Sequence, residues 1–359
     1  MQNRNKYRII GLMSGSSLDG LDMVLGDLLF SGSRWQYSII SAGTFGYDKK
    51  MYKALKTSRD LTKEQLYLLH QDYGKWIAKT VNNFINEHHI QRTDIDLIAS
   101  HGHTVFHQPD KGITLQIGDG NVIAEKCGIP VVYDFRTQDV ELGGQGAPLV
   151  PVGDVMLFND YDQCLNLGGF SNITDKSNGV KAWDICPVNT ILNDLAGKWG
   201  KTYDKNGEIG RKGKVLPSCL KKLETLDFYH QPPPKSLGRE WIDSHVKPII
   251  DDALQKNSVT DVMRTWYEHV ACRIADELEG KVLVTGGGAH NAFLIELIKQ
   301  KSTAVIHIPA PVVVDFKESL IFAFLGLLRW RGENNILASV TGAAHDHSSG
   351  KIANYSRGI

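Results

Sequence analysis

The sequence predicts an α/β protein made of two halves that follow one plan, each a mixed five-stranded sheet flanked by helices. Three observations carry this. The same order of strand-like and helix-like segments occurs twice. Three glycine-rich turns, at residues 9–22, 164–174 and 282–291, each follow a short apolar run. A chain of 359 residues also suits about two domains at roughly 150 residues each.

In the first half, residues 7–13, 22–29 and 35–42 read as strands, with a glycine-rich hairpin between the first two. Residues 63–87 carry apolar side chains at helical spacing: Leu66, Leu69, Tyr73, Trp76, Ile77, Val81 and Phe84. A strand at 97–100, a helix at 121–126 and a strand at 130–134 complete the half. The second half repeats the order. A meander over 163–167, 170–174 and 180–183 precedes helices at 189–197, 216–226 and 262–278. A strand at 281–285, a helix at 291–301, a strand at 304–308 and a helix at 316–330 close it.

Two such halves with a cleft between them describe the two-domain actin-like ATPase (ribonuclease H-like) fold, with closure around bound ligands expected. The boundary is expected at residue 159, giving domains 1–159 and 160–359, with the tail from residue 332 packing back on the hinge. Glycine lets backbone N–H groups approach phosphate oxygens, and neighbouring hydroxyls and carboxylates add donors and a Mg2+ anchor.

Composition narrows the partners. Forty basic and forty acidic side chains cancel, so no global field holds nucleic acid or an anionic membrane, and an anionic ligand must be gripped locally. The five cysteines show no CxxC spacing, which speaks against a disulfide framework or structural zinc and for a reducing cytoplasm. The first residues turn polar too soon for an export signal, and the longest apolar run, 320–328, is far short of the roughly 20 residues of a membrane span. A homodimer is compatible with this composition. A DNA-binding regulator of the same fold would need a basic helix-turn-helix, which the sequence lacks. A chaperone- or filament-like ATPase would need a partner surface, and no segment marks one.

The motifs GLMSGSSLDGLD, HGHTVFHQP, TLQIGDG, GIPVVYDFRTQDVELGGQGAPLVP, LNLGGFSNIT, PPPKSLGRE, VTGGGAHN and VTGA follow one another from Gly11 to Ala343. In these the chain resembles the anhydro-N-acetylmuramic acid kinase family. The resemblance implies an enzyme that uses ATP and Mg2+ to open the 1,6-anhydro ring of a small sugar and phosphorylate O6, giving N-acetylmuramate 6-phosphate in murein recycling. Such a sugar has no free 6-hydroxyl, so water must attack C1 while O6 accepts the γ-phosphoryl. This is inverting-glycosidase logic with a phosphoryl group in place of the acid.

The resemblance also implies site residues. Asp184 matches the catalytic base; from sequence alone a helix N-cap is the competing reading. Gly15, Ser16, Ser17, Leu18, Asp19, Gly20, Leu21 and Asp22 form the first phosphate turn, with Asp19 as the Mg2+ residue and Asp22 either a second carboxylate or a strand start. Gly168, Gly169 and Ser171 face the phosphates, and Gly286, Gly287, Gly288 and Asn291 cover the adenosine, Asn291 equally fitting an N-cap. Arg136 is the partner for the lactyl carboxylate, or else a structural partner of Asp134 or Asp139. Glu318 accepts from the sugar or is a solvated first-turn glutamate; His101 and Gln145 are further candidates for the sugar cleft.

His101, His103 and His107 alternate like metal ligands, but His103 stands where the family has glutamine, which points to a polar cleft wall. His345 and His347 are expected to be solvated. The chain departs from the family after Asp184: Ile185, Cys186, Pro187, Val188 and Asn189 follow it where the family has a Gly-Pro-Gly-Asn turn, so two glycines are gone while Pro187 and Asn189 remain. Positive φ at those glycines would strain Cys186 and Val188, and would favour an altered relative that acts on or binds another amino sugar.

Overall fold

The structure, a computed structural model, describes residues 4–15 and 18–355. In chain order its strands and main helices are β1 (Lys6–Ser14), β2 (Leu21–Ser31), β3 (Arg34–Phe45), α1 (Lys63–Glu87), β4 (Leu97–Ser100), β5 (His103–Gln108), β6 (Ile113–Ile117), α2 (Gly120–Cys127) and β7 (Val131–Tyr133). Then follow β8 (Gln163–Leu167), β9 (Phe170–Asp175), β10 (Lys181–Pro187), α3 (Asn189–Lys198), α4 (Val259–Ala275), β11 (Lys281–Thr285), α5 (Ala292–Lys301), β12 (Val305–His307), α6 (Pro311–Arg331) and β13 (Lys351–Ala353).

The chain forms two compact units, residues 1–157 with 316–359, and residues 158–315. In unit 1 the sheet order is β13-β7-β4-β1-β2-β3, with β1–β2–β3 antiparallel and β1–β4–β7 parallel. In unit 2 it is β10-β9-β8-β11-β12, again an antiparallel meander followed by two parallel strands. The shared order is that of the ribonuclease H-like unit, and its duplication is the actin-like ATPase fold predicted.

Two expectations are corrected. The first sheet has six strands, because β13 pairs with β7. Residues 316–359 therefore belong to unit 1, whereas the sequence reading placed them in the second half; the chain leaves unit 1 at Leu157, near the expected boundary. The crossing back falls within α6 at Phe316, where φ −119° and ψ 15° interrupt the helix.

Local chemistry explains the elements that matter. Thr62 and Gln65 form a capping box that starts α1, and Leu66, Leu69, Tyr73, Ile77, Val81 and Phe84 are its buried stripe. Strand β1 buries Ile9, Ile10 and Leu12 completely, as a central strand covered on both faces must. Helix α6 packs directly onto it: a Cβ on Gly11 would lie 2.0 Å from the Ser319 carbonyl oxygen. Glycine is thus required there, and this contact fixes the segment that carries Glu318.

Candidate functional site

Each unit carries its own set of chemical groups. In unit 1, the β1–β2 turn leaves Asp19 exposed and without a hydrogen bond or ion pair among the described residues. Leu18 adopts φ 60°, and Gly20 leaves no room for a side chain, since a Cβ would come within 2.7 Å of the Phe45 carbonyl oxygen. Leu21 begins β2, and Asp22, within that strand, accepts from Thr44 Oγ1 at 2.5 Å. Ser16 and Ser17 lie outside the described residues.

Beyond β7, the half-buried Arg136 guanidinium donates through Nε and Nη2 to His101 Nε2 at 3.1 and 2.9 Å, and through Nη1 to the Gly146 carbonyl at 2.6 Å. No carboxylate lies within 4 Å of it among the described residues. Asp134 pairs with Lys351, and buried Asp139 accepts from Gly146 N–H at 2.6 Å and Thr341 Oγ1 at 2.7 Å. The structural ion pair is therefore not formed. Burial lowers the Arg136 pKa to about 10. Glu318, half-buried, makes no hydrogen bond or ion pair among the described residues, and burial raises its carboxyl above 4.5 despite Lys317 and Arg136 nearby. It is not a solvated glutamate. Gln145 is exposed; its backbone N–H donates to the Thr341 carbonyl.

In unit 2, Asp184 lies on β10, beside a bulge that ends at Cys186. Its Oδ2 accepts from Leu237 N–H at 2.8 Å and Ser236 Oγ at 3.3 Å, while Oδ1 has no partner among the described residues. Burial raises its pKa above 3.8, against the pull of those two donors. Asp184 is not the N-cap of α3, since Val188 occupies that position. The turn at Gly168 and Gly169 is tight: Thr190 Oγ1 donates to the Gly169 carbonyl at 2.9 Å, and a Cβ on Gly169 would meet that hydroxyl. Gly286 has φ 83°, and a Cβ there would lie 2.4 Å from Asn166 Oδ1. Beside it, Asn189, Tyr203, Asn206, Gly287, His290 and Asn291 line a cavity of about 60 Å3.

A match to the anhydro-N-acetylmuramic acid kinase family model spans residues 7–355. The chain belongs to this family. It is 34% identical to the anhydro-N-acetylmuramic acid kinase of Aliivibrio fischeri, over 96% of this chain and 98% of that protein. It is 32% identical to that of Caldanaerobacter subterraneus subsp. tengcongensis, over 98% of each. Among solved structures, the activator of the 2-hydroxyisocaproyl-CoA dehydratase from Clostridium difficile aligns over 92% of this chain and 99% of its own, at 11% identity and a TM-score of 0.48.

As a member of the anhydro-N-acetylmuramic acid kinase family, the chain departs from several expectations. Ser171 does not turn its hydroxyl outward: it is fully buried, and Oγ donates to the Cys186 carbonyl at 3.0 Å. Beside the bulge in the β9–β10 ladder, Cys186 N–H in turn donates to that Oγ at 3.2 Å. Asn291 caps α5, accepting from Leu294 N–H at 3.2 Å, and donates to Tyr267 Oη at 2.7 Å, so the N-cap reading holds for its side chain. His347 is buried, 3.5 Å from Asp139.

The altered turn after Asp184 does not adopt the positive φ that would strain its side chains. Neither Cys186 nor Val188 has positive φ, Val188 lying at −123°, and both side chains are fully buried in the core of unit 2. The positive-φ strain that would favour an altered relative is therefore absent. His101, His103 and His107 do not form a ligand set. His103 Nδ1 meets Ser14 Oγ at 3.2 Å and burial lowers its pKa to about 4, while His107 meets Thr114 Oγ1. No cluster of three or more His, Cys, Asp or Glu suited to a metal occurs among the described residues. No helix among them is long and apolar enough to cross a membrane.

Sequence reasoning missed Leu237 and Ser236, the donors that hold Asp184. Their signal was the PPPKSLGRE motif, which the resemblance quoted without assigning a role.

Proposed function

We propose that this chain is an ATP-dependent kinase that opens the 1,6-anhydro ring of 1,6-anhydro-N-acetylmuramate and phosphorylates O6, in the recycling of cell-wall murein in the cytoplasm. The observation that carries the reading is Asp184. One oxygen is anchored by a backbone amide, the other is open, and burial strengthens the carboxylate as a base.

Asp184 takes a proton from water as the water oxygen bonds to C1. The C1–O6 bond breaks, and O6 takes the γ-phosphoryl group as ADP leaves. Water, sugar and ATP thus give N-acetylmuramate 6-phosphate, ADP and one proton. The free N–H groups of Arg136 suit the lactyl carboxylate, and the unpartnered Glu318 suits a sugar hydroxyl or the acetamido N–H. The Gly168 amide donates to the Phe170 carbonyl at 3.1 Å, so the amides of Gly15 and Gly169 are the ones that suit phosphate oxygens, and the Gly286–Gly288 turn suits the nucleoside.

Mg2+ keeps several waters and takes one or two carboxylates, a demand that the exposed Asp19 fits, with Asp22 two residues into the strand. When bound, the ion neutralises phosphate charge. The test is ADP release and sugar-phosphate formation from Mg·ATP and the anhydro sugar, by the intact protein and by Asp184→Asn. Product from the first and none from the second is expected; product from both would remove Asp184 as base.

A further inference from the structure

His101 is only 3% exposed, at the end of β4, where its backbone N–H donates to the Leu12 carbonyl at 3.0 Å. Its ring lies 4.7 Å from that of Phe322 on α6. A guanidinium has five N–H donors and no acceptor, so His101 Nε2 must present its lone pair to Arg136 and the ring proton must sit on Nδ1. Nδ1 makes no hydrogen bond of good geometry among the described residues. Burial and the adjacent guanidinium keep this imidazole neutral, against a lesser pull from the Gly102 backbone.

His101 closes the Nε–Nη2 edge of Arg136, and the Gly146 carbonyl holds Nη1. Gly146 is itself fixed by Asp139, which Thr341 also engages. Of the five donors, one remains on each terminal nitrogen, an arrangement that a carboxylate can span.

We propose that His101 is a positioning residue: its neutral Nε2 fixes the Arg136 guanidinium so that the two remaining N–H groups engage an anionic substituent of the sugar. His101, a candidate for the sugar cleft from the sequence, therefore serves that cleft through Arg136 and does not contact the sugar itself. The inference rests on the proposed function, from which it takes the carboxylate-bearing sugar.

The test compares turnover of 1,6-anhydro-N-acetylmuramate with that of 1,6-anhydro-N-acetylglucosamine, which lacks the carboxylate, in the intact protein, His101→Phe and His101→Gln. Phenylalanine keeps the ring contact with Phe322 and removes the acceptor; glutamine returns a neutral acceptor. Loss of one charge-assisted hydrogen-bond partner should raise KM for the muramate sugar about tenfold in His101→Phe, with a smaller change in kcat. KM for the glucosamine sugar should stay level, and glutamine should restore most of the difference. An equal rise for both sugars, or no rise, overturns the proposal.

A His101→Phe chain that does not fold leaves the tautomer as readout. In histidine-labelled protein, the 15N signal that disappears in His101→Gln should report Nδ1–H, and an Nε2–H tautomer would overturn the proposal. Absence of turnover of either sugar by the intact protein counts against the proposed function. Calorimetric binding of the two sugars then decides on His101: preference for the muramate sugar should be present in the intact protein and lost in His101→Phe, and a preference that survives overturns it.

Discussion

Lys317 and Glu318 are neighbours on one helix, yet their charges are handled in opposite ways. Lys317 is buried and lies 2.9 Å from Asp154, with side-chain exposures of 4% and 2%. Glu318 has no hydrogen-bonding partner among the described residues, and Arg136, the cation that acts on it along with Lys317, donates only to a neutral imidazole and a carbonyl. A buried pair in which each charge meets its opposite serves the fold, since removing one member strands the other. Charges that the fold leaves half-buried and open are destabilising unless something else completes them, which is the mark of groups that await a ligand. Asp184 combines both treatments in one carboxylate, with one oxygen held and the other open.

The comparison predicts a separation of stability from activity. Asp184→Asn should lower kcat by about 10^2 to 10^4, the usual range for a general base, with little change in thermal midpoint, because an asparagine oxygen still accepts from Leu237 N–H. Turnover and melting curves of the two proteins check this together. Lys317→Met should do the reverse first: chemical denaturation should show a loss of about 3–5 kcal/mol, much of it recovered when Asp154→Leu is added. A stable Lys317→Met would break the distinction between paired and open charges.

Arg136→Met should raise KM for the carboxylate-bearing sugar by about ten- to a hundredfold, on the scale of about 1.5–3 kcal/mol for charged hydrogen bonds. Its folding stability should change far less than that of Lys317→Met. The smallest effect concerns pH. The folded chain binds the Glu318 proton more tightly than the unfolded chain, so stability should fall as pH rises from 4.5 through the raised pKa. Glu318→Gln should flatten that slope in denaturation measured across the interval. For Asp184, the same direction of shift places the acid limb of kcat/KM above 3.8.

Elements governed by short-range chemistry were legible in the sequence. The apolar stripe and capping box place α1 at Lys63–Glu87, as expected from residues 63–87, and β4, β8 and β11 match their apolar runs. The hairpin β5–β6 and the edge strand β13 were missed. Both have weak alternation, and β13 is defined by pairing with β7, more than two hundred residues away. The bulge after Asp184 had a larger consequence. It extends β10 to Pro187 and sets Cys186 opposite Ser171, so a hydroxyl read as a phosphate donor becomes a bond within the sheet. Asp184 and Arg136 were found through the resemblance; Leu237, His101 and Gly146, which hold them, lie in motifs of their own, but the motifs do not say which side chain each one meets, since that depends on how the chain folds.

The most direct test of the proposed chemistry is the fate of water oxygen. With Mg·ATP and 1,6-anhydro-N-acetylmuramate in H2(18)O, the account predicts a product that carries 18O on C1 and unlabelled phosphate on O6, read by mass spectrometry before anomeric exchange. Label in the phosphate, or ADP release without a C1-labelled sugar phosphate, would contradict it.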